Sequence, residues 1–226
     1  MNEKLNSTNK IVLLTLGEST VGKTSFIKKY VKNEFNEKIM STVGMDFYTK
    51  YLTFSENEKI KLIIYDTCGQ ENYHSLSCNL LRNADGIFLI YDITQQKTFD
   101  KINEWLNDIR NLKGNDFPIV LIGNKCDLKE IRVISRDEGE NLARENGMEF
   151  YETSCQNGTN IEDSVLTLVK IIINQQKKEI EKEGKEEKKE KEGKEEKEEN
   201  KPKKRRFKLS IGKNKKKKKK KCCWQE

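Results

Sequence analysis

One histidine, His74, serves all 226 residues. Six cysteines (Cys68, Cys78, Cys126, Cys155, Cys222 and Cys223) stand at no spacing that suggests a disulfide framework or a zinc site. Reduced thiols and a cytosolic setting are therefore expected. No apolar run approaches the length of a membrane-spanning helix. The N-terminus lacks a signal-peptide pattern. Membrane contact, if the chain makes any, must then come from attached lipid or surface charge. Acid is missing from residues 201–221, which hold 14 Lys/Arg. The formal net charge of +7 belongs to this end alone: residues 201–226 carry +13, whereas 1–173 carry −4 and 174–200 carry −2.

What is present is an alternation. Short apolar runs at 11–16, 46–54, 59–65, 86–91, 118–123 and 149–152 read as strands. Patterns near 23–33, 97–112, 136–146 and 160–180 read as helices. In 97–112 the apolar positions Phe99, Ile102, Trp105, Leu106, Ile109 and Leu112 make one face. The runs 86–91 and 118–123 are apolar throughout, which suits central strands covered on both faces. The expected class is α/β: a three-layer, six-stranded, mostly parallel sheet with helices on both faces. About 170 residues suffice for one such domain. The expected division is a flexible 1–9, a domain over 10–175, a charged low-complexity linker over 176–200, and a disordered polybasic tail over 201–226. Ligand sites in such sheets lie at the carboxyl ends of strands, and the polar motifs of this chain fall there.

The first strand empties into Gly17-Glu18-Ser19-Thr20-Val21-Gly22-Lys23-Thr24, followed by Ser25. Glycines let backbone N–H groups cradle phosphates, Lys23 can reach the β- and γ-phosphates, and the Thr24 hydroxyl can hold Mg²⁺. The helix that follows adds its positive end. After the strand 59–65 come Asp66, Gly69 and Gln70. Asp66 can anchor Mg²⁺, a backbone N–H at Gly69 can reach the γ-phosphate, and Gln70 can orient an attacking water. Thr42 can complete the metal shell and sense the γ-phosphate.

After the strand 118–123 comes Asn124-Lys125-Cys126-Asp127. A carboxylate can accept from both N1–H and the N2 amino group of guanine, and adenine offers no such donor pair. Asp127 therefore favours guanine. Asn124 can tie this loop to the phosphate loop, and the Lys125 stem can lie over the base. Beyond the last strand, Ser154-Cys155-Gln156 can approach the base, with the Cys155 backbone N–H on the guanine O6. Phe35 can cover the other base face or belong to the core.

Together these residues resemble the Ras superfamily of small GTPases, its Rab branch above all, over residues 10–175. Val43-Gly44-Met45-Asp46-Phe47 is similar to the Rab Ile-Gly-Val-Asp-Phe, and Leu89-Ile-Tyr-Asp-Ile-Thr94 and the cysteine pair at 222–223 add to the likeness. The resemblance implies a P-loop GTPase fold and a guanine-nucleotide switch in vesicle traffic, using Mg²⁺ and GTP/GDP. Val43, Gly44, Asp46, Phe47, Tyr65 and Leu80 become the surface that effectors read. Tyr65 stands where most Rabs have Trp, Cys68 where they have Ala, and Leu80 at a usually aromatic position. Ser-Cys-Gln at 154–156 replaces Ser-Ala-Lys. The implied partners are an exchange factor, an activating protein, a GDP-dissociation inhibitor or escort protein, a geranylgeranyl transferase and GTP-dependent effectors. Residues 36–46 and 66–82 are expected to be ordered by the γ-phosphate and released after hydrolysis. Catalysis falls to Gln70, Lys23 and Gly69. Intrinsic turnover is expected on the order of 10⁻⁴ to 10⁻³ s⁻¹, since no arginine in the motifs can act as a finger in cis.

The tail leaves three readings open. Residues 201–221 can bind anionic lipid, can act as a nuclear import or nucleic-acid patch through Pro202-Lys-Lys-Arg-Arg206, or can be inert solvated charge. Cys222 and Cys223 resemble double geranylgeranylation sites, which favours a lipid anchor on the cytoplasmic face of a membrane and argues against a nucleic-acid partner. Residues 181–221, treated as a flexible coil, span about 35 Å. Two rival functions are a nucleotide-binding scaffold that hydrolyses nothing and a Ran-like nuclear switch.

Overall fold

The computed structural model describes residues 9–36, 45–55, 58–67 and 80–199. Six strands form one sheet: β1 (Asn9–Leu16), β2 (Met45–Ser55), β3 (Glu58–Thr67), β4 (Gly86–Asp92), β5 (Ile119–Asn124) and β6 (Glu149–Thr153). Their spatial order is β2-β3-β1-β4-β5-β6. β1 is parallel to β3 on one side, with Ile11 opposite Leu62, and to β4 on the other, with Leu13 opposite Gly86. β5 and β6 continue the parallel set. β2 runs antiparallel to β3. The two are joined through a connection too short for a crossover, so a reversal is the only route.

Among the described residues the sheet is accompanied by the α-helices α1 (Lys23–Lys32), α2 (Gln96–Asp100), α3 (Ile102–Lys113), α4 (Arg136–Glu145) and α5 (Ile161–Glu199), by helical residues at 80–83 and by a single 3-10 turn at Lys129–Ile131. Alternate residues of each strand face opposite sides, and two cores result. Ile11, Leu13, Leu62, Phe88 and Val120 pack with Phe26 and Ile27 of α1 and Val165 and Leu168 of α5. Leu14, Leu16, Ile87, Leu89 and Leu121 pack with Leu106 and Ile109 of α3 and Ala143 of α4. Every residue of β4 and β5 is buried, as their unbroken apolar runs predict.

Three elements differ from the expectation. The helix over 97–112 is two, α2 and α3, divided at Lys101. Lys101 keeps right-handed helical angles, so the apolar face runs on through Ile102, Leu106 and Ile109. β5 starts at Ile119 because Pro118 has no N–H to place in a ladder. Its carbonyl still accepts from the Ile87 N–H at 3.0 Å. Helix α5 carries on to Glu199, past the boundary near residue 180. Lys and Glu are good helix formers, can pair at i,i+4, and meet no proline before Pro202. The chain divides into one compact unit up to Glu179 and a second from Ile180. In the second, the described residues are the helical ones to Glu199. Residues 1–8 and the polybasic tail with Cys222 and Cys223 lie outside the described residues. Among the described residues no helix is long and apolar enough to cross a membrane, and Cys126 and Cys155 are free thiols.

Candidate nucleotide-binding site

The carboxyl ends of β1, β3, β4, β5 and β6 point the same way, and the loops that follow them meet at one edge of the sheet. The strand order turns at β1, which is where open α/β sheets hold their ligands. The β1–α1 loop there is backbone-determined. Gly17 has φ 137°, and a Cβ on it would sit 2.1 Å from the Ile90 carbonyl oxygen. Gly22 has φ 99° and caps α1 without a side-chain hydrogen bond. The first turn of α1 holds no acid. The positive end of such a helix suits an anion. Lys23 is buried, and its Nζ donates to the carbonyls of Gly17 at 2.9 Å and Glu18 at 2.8 Å. The loop therefore wraps its own cation. Ser19 and Ser25 are half-buried, and Thr20 is exposed with φ 65°.

β3 delivers Asp66 to the same place. Thr24 Oγ1 donates to Asp66 Oδ2 at 2.7 Å. Asp66 is buried, and among the described residues its other oxygen, Oδ1, has no hydrogen-bond partner. Burial pushes its carboxyl up from the usual carboxylate range, against the pull of the Thr24 hydroxyl and Lys23. Two threonines fix the strand ends around it: Thr15 Oγ1 donates to the Tyr65 carbonyl at 3.1 Å, and Thr67 Oγ1 to the Thr15 carbonyl at 2.7 Å. A buried carboxylate oxygen without a partner, next to a hydroxyl, suits a hard divalent cation. The residues present fit Mg²⁺.

β5 delivers the base-side loop. Asn124 is buried, and its Nδ2 donates to the Val21 carbonyl at 2.8 Å, joining this loop to the phosphate loop. Lys125 adopts φ 67° and its Nζ pairs with Asp92 Oδ2 at 2.5 Å. Asp92 itself ends β4 and is buried with its carboxylate filled, accepting also from the Thr94 N–H, the Thr94 hydroxyl and Gln95. Asp127 is half-buried, and among the described residues nothing bonds its carboxylate. Ser154 and Cys155 are buried behind β6, and Gln156 is exposed. Burial pushes the Cys155 thiol up to about 12. Arg132 Nη1 and Nη2 meet Glu152 Oε1 and Oε2 at 2.5 and 3.0 Å, clamping the loop after β5 to β6.

Of the expected site residues, Lys23, Thr24, Asp66, Asn124, Lys125 and Asp127 thus lie at three strand ends, those of β1, β3 and β5. Phe35, 40% exposed, lies just past α1. On β2 and β3, Phe47 is 61% exposed and its ring lies 6.1 Å from that of Tyr65. Asp46 faces Asp66 across the ladder and accepts from the Phe47 N–H at 2.8 Å. Tyr65 and Leu80 both pack against the α3 side of the core. Thr42, Val43, Gly44, Gly69 and Gln70 lie outside the described residues, as do most of the two expected switch segments. Asp92 and the Arg132–Glu152 pair were not expected. An acid closing the wholly apolar β4 was the signal for the first; the second joins positions too far apart in sequence to be paired by pattern.

Residues 10–174 match the Ras family. The chain is 42% identical over 161 residues to Ras-related protein Rab-10 of Diplobatis ommata, covering 71% of this chain and 80% of that one. It is 38% identical over 169 residues to Ras-related protein Rab-3C of Bos taurus, covering 75% and 74%. It is 39% identical over 161 residues to Ras-related protein Rab-8B of Pongo abelii, covering 71% and 77%.

Proposed function

Since the chain belongs to the Ras family of small GTPases, within its Rab branch, we propose that it binds guanine nucleotide and hydrolyses GTP as a switch in vesicle and membrane traffic. The observation that carries this reading is the bond from Asn124 to Val21. It ties the loop after β5, read here as guanine-selective, to the β1–α1 loop, read here as phosphate-cradling, and so supports one shared site. Asp127 presents a carboxylate to the N1–H and N2 amino group of guanine. Lys23 and the N–H groups at the start of α1 neutralise the phosphates. Gln70 orients the attacking water, and Gly69 and Thr42 bind the γ-phosphate through their N–H groups. Thr24, Asp66 and Thr42 would hold Mg²⁺, which supplies charge neutralisation between the phosphates when bound. An activating protein adds the missing cation and raises a slow intrinsic rate by several orders.

The output is a surface. Phe47, Tyr65, Leu80 and the segment from Val43 to Asp46 offer GTP-dependent effectors a partly aromatic patch. Geranylgeranyl groups on Cys222 and Cys223, with the polybasic 201–221, anchor the chain to anionic membrane. Two lipids plus basic charge give stable binding where one lipid gives marginal binding. An exchange factor, a GDP-dissociation inhibitor or escort protein, and a geranylgeranyl transferase complete the expected set of partners.

Binding of radiolabelled GTP, competed with unlabelled GTP or ATP, tests the first step. Competition by ATP as strong as by GTP would remove the guanine assignment. Single-turnover hydrolysis separates a GTPase from a scaffold that only binds. Detergent partitioning of the cell-expressed chain tests the anchor: a chain with both cysteines intact that stays wholly aqueous would overturn it.

A further inference from the structure

Asn124 is held from two directions. Its Nδ2 donates to the Val21 carbonyl. Its Oδ1 accepts from Thr153 Oγ1 at 3.1 Å and from Cys155 Sγ at 3.4 Å. The amide also touches the phosphate loop directly: a Cβ on Gly22 would lie 2.4 Å from Asn124 Nδ2. A reversed amide would set its oxygen against the Val21 carbonyl, acceptor on acceptor. Two donors on Oδ1 forbid that reversal. In the Ser-Ala-Lys pattern that residues 154–156 otherwise resemble, the middle residue has no donor, and the threonine would act alone.

We propose that the Cys155 thiol is a positioning residue which, by orienting Asn124, holds the base-side loop to the phosphate loop and lengthens the stay of bound nucleotide. The inference rests on the guanine-nucleotide reading above. Cys155 is 4% exposed, so the S–H···O contact has no competing water. Burial keeps the thiol protonated through neutral pH, and it remains a donor there. The side-chain contact acts on the nucleotide through Asn124, and Cys155 therefore governs release.

Release of preloaded fluorescent GDP from the full chain, chased with excess GDP, tests this in wild type, Cys155→Ala and Cys155→Ser. Loss of one weak hydrogen bond predicts release about two- to ten-fold faster in Cys155→Ala. Cys155→Ser restores a donor in a smaller side chain, and its release should return toward the wild-type rate. A packing role instead predicts Cys155→Ser as fast as Cys155→Ala, because serine and alanine fill nearly the same volume. Equal release from wild type and Cys155→Ala, or Cys155→Ser as fast as Cys155→Ala, overturns the proposal. A wild-type chain that retains no GDP overturns the guanine reading itself, which is a separate and visible failure.

Discussion

Thr24 Oγ1 donates to Asp66 Oδ2 at 2.7 Å, and so the first turn of α1 and the end of β3 share one hydrogen bond across 42 residues of sequence. Among the described residues, the pair leaves Asp66 Oδ1 buried and unpartnered. For Thr24→Asn we expect weaker Mg²⁺ and GTP binding, with the GDP or empty form favoured. Loss of a charge-assisted contact is worth about 1.5–3 kcal/mol, or roughly ten- to a hundred-fold in GTP affinity. Titration of GTP binding against Mg²⁺ measures it. Unchanged affinity would remove the metal role from Thr24.

Asp127 has a carboxylate that nothing among the described residues engages, at the end of a loop fastened by Asn124 and by the Lys125–Asp92 pair. For Asp127→Ala the preference for GTP over ATP should shrink by about a hundred-fold or more, since a site built to bond a base edge discriminates strongly. Competition binding with both nucleotides reads the ratio. An unaltered ratio would move guanine recognition elsewhere.

Gln70 lies outside the described residues, and its role comes from motif position. In Gln70→Leu, nucleotide affinity should stay within about two-fold of wild type, because the side chain bonds water and leaves the nucleotide to other groups. Hydrolysis stimulated by an activating protein should collapse. Wild-type stimulated turnover in this variant would take Gln70 out of the mechanism.

Phe47 and Phe88 separate surface from core. Phe47 is 61% exposed, whereas Phe88 is fully buried with its ring tilted against that of Phe26 at 5.1 Å. Phe88→Ala should cost about 3–5 kcal/mol of stability. Phe47→Ala should change stability by only about 0.5 kcal/mol, while GTP-dependent effector binding is lost. Denaturant unfolding of both variants checks the contrast; a Phe47→Ala cost as large as that of Phe88→Ala would place Phe47 in the core instead.

Helix α4 begins with a reciprocal cap. Glu138 Oε2 accepts from the Ser135 N–H at 2.8 Å and the Ser135 hydroxyl at 2.6 Å, and the Glu138 N–H donates back to Ser135 Oγ at 3.2 Å. These bonds hold the Glu138 carboxyl below the usual glutamate value. Its stabilising contribution is thus complete above that usual value and is lost as pH falls through the lowered one. The amide protection factors over the first turn of α4, referred to the intrinsic exchange rate at each pH, should fall on acidification in wild type. In Glu138→Gln the same step should be flattened; an equal acid step in both would assign it to another group.

The order of strands and helices was legible in sequence because each element has its own period. Runs 86–91 and 118–123 are apolar at every position, and only a strand covered on both faces accepts that. The phosphate loop was legible for a similar reason: Gly17 and Gly22 sit where a side chain cannot, and local geometry dictates residue type. The chain therefore determined by itself its α/β class, its family likeness and the residue types of its strand-end loops. Tertiary structure alone decided which groups meet. Thr15 with Thr67, Lys125 with Asp92, Arg132 with Glu152, and Cys155 with Asn124 pair through strand order and parallel register, which place the loops of distant segments at one edge of the sheet. It also decided how far α5 runs, since helix propensity and i,i+4 pairing extend a helix past the last residue with a core to bury. Periodicity reports burial, and neither long-range pairing nor an exposed helix leaves a burial pattern to read.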